Sequence, residues 1–487
     1  MLNEPVPVAP VFFGKLKMLK TLITLLFAAQ ISFVSADTDW RDEVLYFVML
    51  DRFADGDPTN NQDVDQSNDL AFHGGDLEGL TQQLDYLADL GATAVWLTPI
   101  NQQIDFSIAN PNGQFFAHHG YWANDFYAID PRFGTEADLK NLVSEAHNRG
   151  IKVILDVVYN HLGYGADFED TRPEWLRMGG QCGGDDETMC LSGLPDLRTE
   201  LPEVRNYLFE AHLGLAERTG IDGFRLDTVK HISHDFWQEH RRLATERLGS
   251  DFMLLGEIWG ADKITARPYF KSDELSGAFD FVFRDRTLEF LNNISNGKRF
   301  GRYLSKRHAV VDGHFLAPFL SNHDMLTLLA TLREDKAKYL VAATLLFTAE
   351  GLPVITWGEE WGRAGKAWPA NRANMYWPDS SVQPNSDWVG DATIFAKFAE
   401  LIKLRKALPD LRSSKSEVAY TTQDVLALKR GETSLVVVNR SDSAAQWNDK
   451  LGAREDWRLV FSSQGVTVID KPVLAEGMDA RIYVKNR

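Results

Sequence analysis

Eight short apolar runs, each followed by a helix-period segment, restrict the fold of this chain more than any other feature. The runs are 44–50, 94–100, 153–158, 223–229, 253–258, 279–283, 316–320 and 353–357. Between them lie amphipathic segments such as 77–90, 136–149, 203–218, 236–248 and 338–349. Eight βα units in series predict a parallel sheet closed into a (β/α)8 (TIM) barrel, and an open doubly wound sheet accommodates that number less well. The third run is followed by an irregular stretch, 162–201, with too little apolar content for a core of its own. It is expected as a short insert on the barrel rim. After a last long helix at 394–406 and Pro409, short alternating runs at 425–429, 434–439 and 457–461 predict a small antiparallel β domain. At 487 residues the chain is too long for one ordinary core. The organisation read from it is 37–410 for the barrel, 162–201 within it, and 411–487 for the C-terminal domain.

Residues 1–36 have the form of a signal peptide. Lys15, Lys17 and Lys20 precede an apolar run from Leu22 to Val34, which the small residues Ser35 and Ala36 close. That run is short for a bilayer span, so a secreted or periplasmic protein without a membrane anchor is expected. Export favours a disulfide between Cys182 and Cys190, with two free thiols as the alternative. The net charge of −18 disfavours a nucleic-acid partner and suits a neutral substrate. A monomer is expected.

In a barrel of this kind, polar side chains at the C-terminal ends of the strands face the site. The third run ends Asp156-Val-Val-Tyr-Asn160-His161 and the fourth Phe224-Arg225-Leu226-Asp227, with Lys230-His231 after it. The fifth ends Gly256-Glu257-Ile258-Trp259 and the seventh Ser321-Asn322-His323-Asp324. A buried ion-pair network would be the structural alternative, but charges are seldom buried without a use. Two carboxylates facing one sugar bond are what retaining glycoside hydrolysis requires: one attacks the anomeric carbon and the other protonates the leaving oxygen. Arg225 and Asp227 are two apart on a strand and share a face, so the guanidinium keeps Asp227 ionised and nucleophilic. Glu257 stands beside Ile258 and Trp259, and an apolar neighbourhood raises a carboxyl pKa as an acid needs. Asp324 is placed to stabilise an oxocarbenium-like transition state.

Those four stretches resemble, in order, the four signature regions of the α-amylase family, glycoside hydrolase family 13. Leu194-Pro-Asp-Leu197 and Gly351-Leu-Pro-Val-Ile-Thr-Trp-Gly-Glu359 resemble its secondary motifs, and the likeness runs from about Tyr46 through the C-terminal domain. The resemblance implies Asp227 as nucleophile, Glu257 as acid/base and Asp324 as transition-state stabiliser. It implies that His161 and His323 hydrogen-bond the sugar before the cut, that Tyr121 in His119-Gly-Tyr121-Trp122 stacks on it, and that Arg372 contacts substrate. Arg225, Lys230 and His231 belong to the same substrate set. The family usually has an Asp four residues before that arginine. Here the position is Trp368, which points to altered contacts on the non-reducing side.

Asp55, Asp57, Asn60 and Asn61 pack hard oxygen donors at short spacing, which suits Ca2+, with a solvated turn as the alternative. With Gly74 and Asp76 they resemble a calcium site of cyclodextrin glucanotransferases and some bacterial amylases. A second family site would use Asn160, Asp196 and the His231 carbonyl. The leading reading is an endo-acting hydrolase of α-1,4-glucan in starch, glycogen and maltooligosaccharides. Rivals are a transglycosylase, a maltogenic amylase or a cyclodextrin hydrolase, which Trp259 keeps open because it resembles the acceptor platform of glucan-transferring relatives. The extra modules of glucanotransferases and the N-terminal domain of cyclodextrin hydrolases find no counterpart in the pattern. An inactive carbohydrate-binding scaffold is the remote alternative.

Overall fold

The computed structural model describes residues 39–308, 310–467 and 473–486. The segment 1–36, expected from the sequence to be a signal peptide, lies outside the described residues. Eight parallel strands form one sheet: β1 (Leu45–Val48), β2 (Ala94–Leu97), β3 (Lys152–Val157), β4 (Gly223–Leu226), β5 (Met253–Gly256), β6 (Gly277–Asp280), β7 (Phe315–Pro318) and β8 (Val354–Thr356). Neighbours in space follow chain order from β1 to β7, and β8 pairs with β1. The ring is closed between β7 and β8 by Leu352 N–H donating to the Leu316 carbonyl (3.3 Å) and by Thr356 Oγ1 donating to the Ser321 carbonyl (2.6 Å). Gly351 permits that approach: its φ is +93°, and a Cβ there would lie 1.9 Å from Leu316 O. Helices cover the outside, so the strands are buried on both faces and read in the sequence as continuous apolar runs.

Every strand but β3, which has six residues like its run, is shorter than its apolar run. In the fourth and fifth runs the residues that leave the ladder are those bearing the chemistry, Asp227 to Val229 and Glu257 to Ile258. The sixth run differs most. Asp280 ends β6, and its carboxylate accepts the Phe283 N–H (2.9 Å), capping a helix over Phe281–Leu291. The apolar stretch 279–283 thus straddles a strand end and a helix start. The 77–90 pattern is two helices, Leu77–Gln82 and Leu84–Leu90, broken at Gln83. Helix Glu136–Asn148 starts with a Thr135/Asp138 capping box.

Two excursions build the rim. After β2, Asn101–Gln103 pairs with Ala123–Ile129, and between them projects a hairpin, Ile108–Asn110 with Gly113–Phe115. After β3, the 162–201 insert returns through Asp196–Leu197, which pairs with Leu176–Arg177 and bridges to His161. Cys182 and Cys190 are joined by a disulfide within it. The C-terminal sheet has the order Ser416–Thr421, Val425–Arg430, Ser434–Asn439, Asp479–Lys485, Trp457–Ser462, all antiparallel. Two buried arginines bind the chain where the barrel meets this sheet, Arg405 from the helix Ala392–Ala407 and Arg430 from the sheet itself. Arg405 donates to the carbonyls of Phe347, Ala349, Gly351 and Leu411, and Arg430 to those of Thr348, Leu411 and Ser414. Among the described residues no helix is long and apolar enough to cross a membrane.

Candidate active site

The strand ends converge on Arg225. Its Nη1 donates to Asp156 Oδ1 (3.0 Å) and Asp227 Oδ1 (2.7 Å), and its Nη2 lies 3.9 Å from Glu257 Oε2. β3, β4 and β5 are adjacent, so three carboxylates share one guanidinium. Asp156 also accepts from Trp96 Nε1 (3.1 Å) and the Tyr121 hydroxyl (2.7 Å), which ties the tyrosine to the cluster. Thr228, at φ +48°, donates its backbone N–H to Glu257 Oε2 (3.1 Å).

Environment separates these carboxyls. Burial is the largest influence on Glu257 and pushes its pKa up to about 7; Arg225 opposes this, while the charges of Asp227 and Asp324 reinforce it. The apolar surroundings are Phe279, Phe281 and Phe319 rather than Trp259, which is 49% exposed. Burial likewise raises Asp156 to about 7. Asp324 behaves oppositely: burial would raise it, but neighbouring charge holds it below the usual carboxylate range. His323 is itself kept neutral by burial, at about 3, so the cation that counts near neutrality is Arg372, whose Nη2 donates to Asp324 Oδ1 (3.0 Å). Arg372 Nε is anchored on the His323 carbonyl (3.0 Å).

A groove of about 460 Å³ runs over this cluster, lined by Asp227, Asp324, Tyr121, His161, His323 and Arg372 among others. Tyr121 and His323 stack 5.3 Å apart and nearly parallel, and the Tyr121 N–H is held by His119 Nδ1 (3.0 Å). One end of the groove is walled by the Ile108–Phe115 hairpin and Trp368, whose ring meets Phe115 edge-on at 5.2 Å. Tyr164, Ser192 and Leu194 of the rim insert face it. Reading strand ends alone does not find these loop residues, because loops carry no periodic signal. Trp259 and Lys230 line a second groove, about 740 Å³, with Tyr269 and the disulfide loop at Asp185–Thr188. His231 donates from Nδ1 to the Asp186 carbonyl (2.7 Å), tying that loop to the barrel.

The two expected calcium sites differ in fit. At the first, Asn61 Nδ2 donates to Asp55 Oδ2 (2.7 Å) and Asn60 Nδ2 to Asp76 Oδ2 (3.0 Å). Asp55 Oδ1, Asn60 Oδ1 and Asn61 Oδ1 are buried without any hydrogen-bond partner. Gly74, at φ +98°, comes so close that a Cβ would lie 2.7 Å from Asn61 Oδ1. Orphaned hard oxygens beside a carboxylate suit Ca2+. Asp76 is also the N-cap of the Leu77–Gln82 helix, accepting from Gly79 N–H (2.7 Å), and Asp57 is engaged with Thr59. At the second, the Asp196 carboxylate is paired with Arg177 Nη1 at 2.7 Å, so a guanidinium already supplies the positive charge. That donor set does not fit a resident cation. Among the described residues, no group of three or more His, Cys, Asp or Glu side chains is arranged to hold a metal.

A (β/α)8 barrel with carboxylates at the ends of its fourth, fifth and seventh strands has the architecture of a glycosidase. The family model for the α-amylase catalytic domain matches residues 47–174 and 185–385, and the chain belongs to this family, glycoside hydrolase family 13. Neopullulanase 2 of Thermoactinomyces vulgaris is 32% identical over 466 residues, covering 86% of this chain and 74% of that protein. A cyclomaltodextrinase of Geobacillus thermopakistaniensis is 32% identical, covering 86% and 72% respectively. Among solved structures, the α-amylase of Geobacillus thermoleovorans complexed with acarbose superposes with a TM-score of 0.77 at 31% identity, covering 92% of this chain and 99% of that one.

Proposed function

We propose that this glycoside hydrolase cleaves α-1,4-glucosidic bonds of open α-glucans by a retaining mechanism. The observation that carries the proposal is the sharing of Arg225 by Asp227 and Glu257 at unequal distances, 2.7 and 3.9 Å. Asp227, bound to the guanidinium at 2.7 Å, attacks the anomeric carbon as an anion. Glu257, raised to about 7, gives its proton to the glycosidic oxygen as the C–O bond breaks, leaving a β-linked glycosyl–Asp227 ester. The resulting carboxylate then takes a proton from water, whose oxygen attacks the same carbon and frees Asp227. Asp324, held anionic by Arg372, faces the positive charge that develops on the ring. Tyr121, His161 and His323 place the sugar before the cut.

Endo-action on starch is the specificity we favour, supported by the likeness to a solved α-amylase along 99% of its length. The second reading, hydrolysis of cyclodextrins or short oligosaccharides with some transfer, is supported by relatives named neopullulanase and cyclomaltodextrinase. Trp259 bears on the choice. Exposed in the second groove, with Phe281 5.1 Å behind it, it offers a flat face to an incoming sugar. Trp259→Ala is expected to lower the transfer-to-hydrolysis ratio on maltotriose, with a smaller loss in starch cleavage. A lower melting temperature with unchanged transfer products would refute the acceptor role. Chromatography of products from starch and from cyclodextrins separates the readings: early release of mixed oligosaccharides from starch fits endo-action, and preferential opening of cyclodextrins fits the second.

The first oxygen cluster holds one Ca2+ in this proposal, through Asp55, Asn60, Asn61 and the neighbouring backbone. The ion supplies charge compensation to Asp55 and locks the 55–76 segment. Chelation is then expected to lower the melting temperature, since a ligand bound only by the folded state stabilises it by mass action. An unchanged melting temperature after confirmed metal removal would contradict it. The Cys182–Cys190 bridge supports action outside the cytosol, where disulfides persist.

A further inference from the structure

In a chain of net charge −18, a cavity of about 360 Å³ away from the two grooves is lined by six cationic side chains and two carboxylates. Helix Gly297–Arg307 supplies Arg299, Arg302 and Lys306, whose spacing of three and four residues puts them on one face. Arg286 comes from helix Phe281–Leu291, and Lys263 from the loop that follows Trp259. Arg286 is paired with Glu289 (2.6 Å), but among the described residues Arg299, Arg302 and Lys306 have no ion-pair partner. The carboxylates are committed. Asp280 binds Arg307 Nε at 2.5 Å, and Asp262 accepts the N–H groups of Ile264 (2.8 Å) and Thr265 (3.1 Å).

Arg307, also in the lining, is 5% exposed. Its Nε and Nη1 are satisfied by Asp280 and the Glu350 carbonyl, while its buried Nη2 has no acceptor in the protein. A buried donor without a partner is costly, and a cluster of unpaired cations around one cavity is self-repelling. An oxyanion in the cavity offsets that repulsion. We propose that this cavity binds a phosphoryl group, as free inorganic phosphate or as the monoester of a sugar. Guanidinium forks match phosphate oxygens in pairs of charge-assisted hydrogen bonds. The volume falls within the range of about 300–1,000 Å³ of small-molecule sites, so a hexose monoester is accommodated, and Tyr303 in the lining offers a ring for the sugar face.

Isothermal titration of the whole protein with inorganic phosphate, glucose 6-phosphate and glucose, at constant ionic strength, tests this. Saturable binding of one or both phosphates, but not of glucose, is expected. The double variant Arg302→Ala/Lys306→Ala removes two exposed side chains and should weaken that binding at least about tenfold while kcat on starch is unchanged. Equal affinity for phosphate and ester identifies free phosphate as the ligand. A tenfold or greater preference for glucose 6-phosphate identifies the sugar monoester. Absence of saturable binding of either phosphate up to about 10 mM, or an affinity unaltered in the double variant, would overturn the proposal.

Discussion

Asp227→Asn and Glu257→Gln are each expected to lower kcat on soluble starch by about a thousandfold or more, with the folded state retained. The first variant keeps the shape of the nucleophile and removes its charge. The second keeps the shape of the acid and removes its proton. Retention of more than about a tenth of the wild-type kcat by either variant would contradict the assignment, given the size of such losses elsewhere. Wild-type activity should have an alkaline limb near pH 7, because Glu257, raised to about 7, must carry its proton to act as acid. The sign for stability follows from the same shift. A carboxyl whose folded pKa exceeds its unfolded one binds more protons when folded, so its contribution is favourable at low pH and is lost as pH rises through about 7. Glu257→Gln is therefore expected to melt no lower than wild type at pH 8, which distinguishes loss of chemistry from loss of fold in one thermal scan.

Arg225→Leu should damage stability and activity together. The guanidinium is buried and is the shared hydrogen-bonding or ion-pair partner of Asp156, Asp227 and Glu257. Removing one partner from a buried charge cluster typically costs about 3–5 kcal/mol. The three remaining carboxyls would also lose their shared donor, and the nucleophile its 2.7 Å partner, so kcat/KM should fall with the melting temperature. Arg225→Lys, which restores charge without the fork, should recover part of the melting temperature but less of the activity, because one ammonium cannot serve Asp156, Asp227 and Glu257 together as the two terminal guanidinium nitrogens do. Wild-type melting temperature and kcat/KM in Arg225→Leu would contradict this role.

Much of the site was legible because it rides on the barrel strands. Alternation of buried strands with amphipathic helices fixes where strands end, and the polar residues there, from Asp156 to Asp324, stand out against apolar runs. What was not legible depends on residues without a periodic signal. The strand-to-helix boundary at Asp280 is hidden because apolar residues continue across it, and only the carboxylate cap decides it. The hairpin at Ile108–Phe115 and the seating of Trp368 against Phe115 are tertiary outcomes of two distant loops. The second calcium expectation took Asp196 as a ligand, whereas antiparallel pairing of Arg177 with Asp196 brings a guanidinium to it, a contact that spacing cannot reveal. The sequence offers Ile258 and Trp259 as apolar neighbours of Glu257; Ile258 is buried, but the chain turns after Gly256 and the indole faces solvent, and phenylalanines from the sixth and seventh strand regions complete the surroundings.

Retention of configuration is the central chemical claim, since it alone requires Asp227 to form a bond to the sugar. Proton NMR of the first product released from a maltooligosaccharide reads it directly, before mutarotation mixes the anomers. Two displacements at one carbon return the α-anomer, and its appearance first is the result expected. The β-anomer appearing first would mean that water attacks in a single displacement, and that Asp227 is not the nucleophile.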